Sequence, residues 1–266
     1  MSDATRTVDS PTVVLVHGAF ADASSWNGVI ERLQAKGVVV TAPANPLRGI
    51  GSDSAYIAGV FEQTPGPVVA VGHSYGGAVI SNAAAQAKNV VGLVFVAAFA
   101  PEEGEILGEA EAGSKDSVLM SALVPLHYPA GGGGEPAVEF AIDRAKFHDA
   151  FAADLPAEQA AVMAATQRPV AELAFSESSG APAWKDRPSW AVVATGDKAA
   201  GADVIRSMAE RAGATITEVE GSHVIMVSQP KAVTDVILEA VGSSAPEGTS
   251  WSEAIFEVYV AERPTP

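Results

Sequence analysis

The chain contains a series of short runs dominated by Val, Leu, Ile and Ala, and each run is separated from the next by turn or helix signals. A strand that is covered by helices on both faces is apolar throughout, whereas a half-exposed strand alternates apolar and polar residues. The runs therefore predict an α/β fold with a mainly parallel sheet and helices on both of its faces. We place strands at Thr12–Val16, Val38–Thr41, Val68–Val71, Val90–Val96, Trp190–Ala194 and Thr215–Val219.

The alternation of strands and helices is interrupted between the fourth and fifth predicted strands. There the chain becomes acidic, carries four consecutive glycines at 131–134 and shows only short helical patterns. We divide the chain into the first half of a core (1–98), a helical cap insertion (99–187), the second half of the core (188–242) and a C-terminal tail (243–266). Ser250 and Glu253 have the spacing of a capping box, which predicts that a helix begins in the tail.

Composition excludes several classes of function. The chain has 266 residues, of which 48% are hydrophobic, so one globular domain can bury a large core. It has 32 Asp and Glu against 16 Lys and Arg, and the net charge of -16 argues against nucleic acid or an anionic membrane as a partner. There is no Cys, and no secretory signal or long apolar span is visible. We expect a cytoplasmic protein, and the sequence leaves open whether it is a monomer or a homodimer.

The third predicted strand leads directly into Gly72-His73-Ser74-Tyr75-Gly76, and a helical pattern follows. Glycines two residues before and after a serine, between a strand and a helix, are typical of a nucleophile elbow, in which a tight turn exposes the serine hydroxyl. The five-residue pattern alone is weak, and its position between a strand and a helix strengthens it. Ser74 is therefore the predicted nucleophile.

A serine hydroxyl needs a histidine base, and the base needs a third group to orient it. His223 is the one histidine after the insertion, and it lies in the loop that follows the last predicted strand. Asp197 occupies the corresponding loop one strand earlier, and we predict that it is the acid. Three other carboxylates remain alternatives: Asp203, Glu102 and Glu103.

Acyl transfer also needs two donors for the oxyanion that develops on the substrate. The backbone N–H of Tyr75, at the start of the helix after Ser74, is one candidate. The loop after the first strand supplies the other, for which we choose Ala19, with Phe20 as the alternative.

The remaining histidines have simpler interpretations. We expect His17 to hold its loop through hydrogen bonds and His73 to support the site without touching substrate. His127 and His148 lie in the predicted cap, where we expect surface or packing roles.

Four motifs in this order resemble the α/β-hydrolase superfamily, and in particular its small, cofactor-free esterase and hydroxynitrile lyase-like branch. They are His17-Gly18-Ala19-Phe20 with Trp26 following, Gly72-His73-Ser74-Tyr75-Gly76-Gly77, Thr195-Gly196-Asp197-Lys198 and Gly221-Ser222-His223. The resemblance covers roughly Thr12 to Gly242. It implies a six-stranded, mainly parallel sheet, a helical cap over the elbow and the same Ser74, Asp197 and His223 assignment, with no cofactor or metal.

Two departures from the family pattern bear on the reaction. Gly18 and Val224 stand where plant hydroxynitrile lyases of this group carry Thr and Lys, which disfavours cyanohydrin cleavage. The serine at the elbow differs from the aspartate of haloalkane dehalogenases and epoxide hydrolases. The sequence therefore favours a carboxylesterase-type serine hydrolase that cleaves esters or lactones of small, largely apolar substrates. A cofactor-free lyase, a carbon–carbon bond hydrolase and a small-molecule receptor that retains the same residues remain alternatives.

Overall fold

The computed structural model describes residues 10–131 and 134–244. Within these ranges the strands are β1 (Thr12–Val16), β2 (Val40–Thr41), β3 (Val68–His73), β4 (Val90–Val96), β5 (Leu123–Tyr128), β6 (Ala137–Ile142), β7 (Val170–Ala171), β8 (Ser189–Ala194) and β9 (Thr215–Val219). The α-helices are α1 (Asn27–Gln34), α2 (Ile50–Gln63), α3 (Tyr75–Ala84), α4 (Leu107–Ala112), α5 (Leu119–Ala122), α6 (Arg144–Phe151), α7 (Ala157–Thr166), α8 (Leu173–Ser176), α9 (Ala202–Arg211), α10 (Ile225–Ser228) and α11 (Pro230–Ser243). Two 3₁₀ turns lie at Ala23–Trp26 and Ala183–Lys185.

The main sheet in the described part of the chain has six parallel strands in the order β2-β1-β3-β4-β8-β9. Strands β1, β3 and β8 are buried at every residue, because helices cover both faces of the sheet. Helices α1 and α11 contact each other and form one layer, and helices α2 and α3 contact each other and form the other. The predicted fold class is confirmed.

Several helix boundaries follow from local chemistry. The side chain of Asp22 accepts a hydrogen bond from the Ser24 amide and opens the 3₁₀ turn that leads into α1. Gly37, with φ of 74°, follows the end of α1, and Pro230 occupies the first turn of α11.

The prediction was less accurate at β2, which has two residues rather than the four predicted at Val38–Thr41. The helix that follows, α2, begins at Ile50. The Asp53 carboxylate accepts a hydrogen bond from the Arg48 amide at 3.0 Å, so it closes the turn in front of the helix from within the first turn.

The inserted segment, which we define as residues 97–188 between β4 and β8, contains more than helices. Strands β5, β6 and β7 form a three-stranded antiparallel sheet beside α4 to α8. The prediction of helical pieces alone was therefore incomplete. The glycine run at 131–134 lies between β5 and β6, which form an antiparallel pair, and Gly131 has φ of 88°.

The helix predicted from Ser250 in the tail lies outside the described residues. Among the helices of residues 10–131 and 134–244, none combines the length and the apolar character that crossing a bilayer would need.

Candidate active site

Ser74 occupies the turn between β3 and α3 with φ of 53° and ψ of -125°. A positive φ is strained for a residue that has a Cβ atom, and such strain is often found at functional sites. Glycine is required on both sides, because a Cβ atom at Gly72 would lie 2.5 Å from the Gly76 carbonyl oxygen, and one at Gly76 would lie 2.5 Å from the Val16 carbonyl oxygen. The structure thus explains the Gly-x-Ser-x-Gly pattern by close backbone packing.

The loop after β1 lies directly against this elbow, because β1 and β3 are neighbours in the parallel sheet. A Cβ atom at Gly18 would lie 2.6 Å from Cβ of Ser74 and 2.7 Å from the His73 carbonyl oxygen. A residue with a side chain cannot occupy position 18 unless the elbow or the loop moves.

Asp197 and His223 lie on the loops that follow β8 and β9, and the structure brings them together. Oδ2 of Asp197 lies 2.7 Å from Nδ1 of His223, and both side chains are 1% exposed. The amides of Ala199 and Ala200 donate hydrogen bonds to Oδ1 of Asp197 at 2.9 and 3.1 Å. With Nδ1–H donated to Asp197, Nε2 of His223 is the nitrogen that can accept a proton.

Ser74 and His223 lie at the same edge of the sheet, joined through His73. The His73 ring lies 4.7 Å from the His223 ring, and its Nε2–H donates to the His223 carbonyl oxygen at 3.0 Å. Within residues 10–131 and 134–244, the structure contains no hydrogen bond between Ser74 Oγ and His223. In proteins without substrate, such bonds are often long and shorten only in the complex.

The alternative acids have other partners. Asp203 lies in the first turn of α9, where it accepts a hydrogen bond from the Ser114 hydroxyl at 2.5 Å. Glu102 pairs with Lys185, and Glu103 is exposed. Asp197 is the one of these four candidates that contacts a histidine in the described part of the chain.

The backbone amides proposed as oxyanion donors differ in whether they already make a hydrogen bond. The Phe20 amide donates to the Arg168 carbonyl oxygen at 3.2 Å and is therefore occupied. The amides of Ala19 and Tyr75 make no hydrogen bond among the described residues. Ala19 rather than Phe20 thus remains available as a donor.

His17 and His73 are buried. Nδ1–H of His17 donates to the Gly18 carbonyl oxygen at 2.9 Å, and its Nε2 accepts from the Asn45 amide at 2.9 Å, so the ring is neutral and holds its loop as we expected. Burial lowers the pKa of His17 to about 4 and lowers the pKa of His73 well below its usual value.

An aromatic wall from the inserted segment covers the site, and sequence reasoning did not identify it. The Phe151 ring, on α6, lies 5.0 Å from the His223 ring and 6.1 Å from the Phe20 ring. Phe147 lies 5.0 Å behind Phe151. The contact between Phe151 and His223 depends on how the inserted segment packs, which no local sequence pattern encodes.

Two further side chains support the site and were also missed. The Tyr75 hydroxyl donates to Oδ2 of Asp53 at 2.8 Å, and burial raises the pKa of that carboxyl. Asp154 of the inserted segment accepts a hydrogen bond from the hydroxyl of Ser222, the residue before His223. The sequence signal for Asp53 was its place near a helix start, whereas Asp154 had none.

The candidate site is nearly closed to solvent. Ser74 is 7% exposed and His223 is 1% exposed. A pocket opens between the loop after β1 and α7 with Phe20 in its wall, and neither Ser74 nor His223 lines it. No group of three or more His, Asp or Glu side chains within the described ranges has the geometry of a metal site.

Comparison with known proteins gives one family and many solved structures. A family model described as "Alpha/beta hydrolase family" matches residues 13–236. A comparison with curated protein sequences gives no match. Polyneuridine aldehyde esterase superposes with a TM-score of 0.72 at 21% identity, over 86% of this chain and 98% of that one.

Two plant proteins are similar to the same extent. Methylketone synthase I from tomato, solved with 2-tridecanone, has a TM-score of 0.71 at 22% identity, over 88% of this chain and 99% of that one. Methylesterase MES16 from Arabidopsis has a TM-score of 0.71 at 18% identity, over 87% of this chain and 98% of that one. These likenesses extend over the core and the inserted segment.

Proposed function

This chain belongs to the alpha/beta hydrolase family, and from that premise we propose that it is a serine hydrolase that cleaves carboxylic esters or lactones of small, largely apolar substrates. The observation that carries the proposal is the strained Ser74 turn at the same sheet edge as the buried Asp197–His223 pair. Backbone strain is often found at functional sites, and a serine nucleophile needs a histidine base that a third group orients.

The proposed reaction has two halves. Ser74 Oγ attacks the acyl carbon while its proton passes to Nε2 of His223, and the protonated ring then donates that proton to the leaving alcohol. Asp197 keeps the ring in the required tautomer. Water then attacks the acyl-enzyme, gives its proton to His223 and releases the acid, after which the proton returns to Ser74.

The oxyanion that forms in each half has two available donors, the amides of Ala19 and Tyr75. The Phe20 amide is engaged with Arg168, which supports the choice of Ala19. Removing one donor of this kind typically lowers the rate by about 10² to 10³.

The aromatic wall formed by Phe151 and Phe147 is consistent with the proposal that the substrate is small and largely apolar. Phe151 contacts the His223 ring, so any substrate group above the base lies against an aromatic face. The names of two similar proteins, an esterase and a methylesterase, point to esters.

Turnover of a substrate panel tests this proposal. We expect hydrolysis of short and medium p-nitrophenyl esters, methyl esters or lactones, and a loss of turnover in Ser74→Ala. A protein that cleaves ketone substrates but no ester would instead support the lyase or carbon–carbon hydrolase alternative. Tight retention of a small molecule with negligible turnover would support the receptor alternative.

A further inference from the structure

Glu111 is a buried carboxyl group that the proposed reaction does not use. It lies on α4 of the inserted segment, and it is 2% exposed. Its Oε2 atom is buried and has no hydrogen-bond partner among the described residues. A carboxylate that is buried in this way is costly, and the cost falls when the group carries a proton.

The surroundings of Ser117 indicate where that proton is. Ser117 Oγ lies 2.6 Å from the Ala199 carbonyl oxygen and 3.0 Å from Oε1 of Glu111, and it accepts from the Leu119 amide at 3.2 Å. A hydroxyl group has one proton, and a carbonyl oxygen can only accept. If Ser117 donates to Ala199, its contact with Glu111 is a hydrogen bond only when the Glu111 carboxyl donates.

This chain of hydrogen bonds leads to the proposed catalytic acid. The Ser117 hydroxyl donates a hydrogen bond to the Ala199 carbonyl oxygen, in the turn that follows Asp197. In the same turn, the amides of Ala199 and Ala200 donate hydrogen bonds to Oδ1 of Asp197. The Val118 amide donates to the Lys198 carbonyl oxygen at 2.8 Å, so a second bond attaches the inserted segment to this turn. Hydrogen bonds through Ser117 and Ala199 thus connect Glu111 to the Asp197 turn.

We propose that Glu111 is a positioning residue: its protonated carboxyl donates to Ser117 and completes the hydrogen-bond chain that holds the Asp197 turn, and ionisation breaks that chain. The proposal rests on the proposed function of Ser74, Asp197 and His223. When Glu111 is ionised, Ser117 has one proton for two acceptors, and the Asp197 turn loses a bond.

The electrostatics place this change near neutral pH. Burial raises the pKa of Glu111 to about 7, and the charge of Asp197 acts in the same direction. The Ser117 hydroxyl, the His223 ring and the Met120 amide oppose this shift. Asp197 and His223 are the titratable groups that face Glu111 from the loops after β8 and β9.

The first test compares the pH dependence of kcat/KM for an ester in wild type and Glu111→Gln. The glutamine amide can donate to Ser117 at every pH. We therefore expect the ratio of the variant's kcat/KM to that of wild type to rise about fivefold as the pH increases through about 7, which corresponds to the loss of one hydrogen bond. A ratio that stays constant would overturn the proposal.

Two further variants serve as controls. Glu109→Gln removes an exposed carboxylate from the same helix, and its ratio to wild type should not change with pH. Ser117→Ala removes the connecting hydroxyl, so Glu111→Gln in that background should give no pH-dependent ratio. A fivefold rise that persists without Ser117 would contradict the proposed route.

A measurement of thermal stability does not depend on catalysis. Because the folded state raises the pKa of Glu111, wild type loses stability relative to Glu111→Gln as the pH rises from about 4.5 to about 7. We expect the difference in Tm between the variant and wild type to grow from about pH 4.5 to about pH 7 and to level off above that pH. An active esterase whose Tm difference is constant would contradict the Glu111 proposal alone. A protein with the growing difference but no ester hydrolysis would contradict the proposed function instead.

Discussion

At the scale of single residues, the backbone of Ser74 shows how the chain maintains a strained conformation. Its amide donates to the Val96 carbonyl oxygen at 3.3 Å, and its own carbonyl oxygen accepts from Gly77 at 2.9 Å and from Phe99 at 3.2 Å. These bonds reach β4, α3 and the start of the inserted segment. The strain of about 1–3 kcal/mol at such a residue is thereby offset by its surroundings.

Asp197→Asn should lower kcat for esters by about 10⁴, because an asparagine cannot hold His223 in the required tautomer. Asp203→Asn is the matched control, since Asp203 bonds to Ser114 and Lys115 rather than to a histidine. Steady-state kinetics on both variants, with circular dichroism to verify folding, measures the difference. Near wild-type activity in Asp197→Asn would transfer the acid role to another carboxylate.

At the scale of secondary structure elements, the site depends on the contact between the β1 loop and the elbow. Gly18→Ala would place a Cβ atom 2.6 Å from Cβ of Ser74, and neither backbone can move without displacing the nucleophile or the Ala19 donor. Displacement by about 1 Å lowers rates by about 10², and we expect a loss of that size in kcat/KM.

Gly59→Ala is the control for this prediction. It lies within α2, where the nearest atom to an added Cβ is Nε2 of Gln63 at 3.8 Å. Alanine is favoured over glycine inside a helix by about 0.8–1 kcal/mol, so this variant should be slightly stabilised and fully active. Equal activity of Gly18→Ala and Gly59→Ala would contradict the described packing.

The contact between α6 and the base predicts a change in substrate preference. Phe151→Leu opens space beside the His223 ring, so kcat/KM for bulky esters should rise relative to that for acetate esters. Phe147→Leu removes the neighbouring ring, which packs on Phe151 rather than on His223, and should change this ratio much less. Competition assays with paired esters measure the ratio, and an equal effect of the two variants would argue against Phe151 as part of the substrate site.

The sequence was sufficient to predict the strands and the turn that are marked by a local pattern of residues. Continuous apolar runs predicted β1, β3, β4 and β8, because buried parallel strands need no polar face. The position of Ser74 between a strand and a helix followed from the same pattern. β5 and β6 were missed because their side chains are largely half-buried or exposed, so no continuous apolar run marks them.

Long-range contacts could not be predicted in this way. Phe151 and Asp154 meet the His223 loop about 70 residues away along the chain, and Glu111 reaches the Asp197 turn through Ser117. Such contacts are set by how the inserted segment packs, which no local spacing encodes. The choice between Ala19 and Phe20 likewise required the Arg168 contact.

At the scale of the whole molecule, the core and the inserted segment share one hydrophobic core in the described part of the chain. The segment contacts the site at the Phe20 amide, the His223 ring and the Ser222 hydroxyl. Because these contacts surround a serine that is 7% exposed, we expect substrate access to require movement of the segment.

The net charge of -16 predicts a dependence of stability on salt. Repulsion among the excess carboxylates destabilises the compact state and is screened as ionic strength rises. The Tm at neutral pH should therefore increase by several degrees between low salt and about 0.5 M NaCl. The same titration near the isoelectric point is the control and should give a smaller increase; equal increases would show that charge repulsion is not the cause.

The central claim is that Ser74 is an activated nucleophile, and covalent labelling tests it most directly. Incubation with a fluorophosphonate, followed by intact mass measurement and peptide mapping, should give one adduct per chain, located on Ser74. The adduct should be absent from Ser74→Ala and should form much more slowly in Asp197→Asn. No adduct, or an adduct on another residue that persists in Ser74→Ala, would contradict the account.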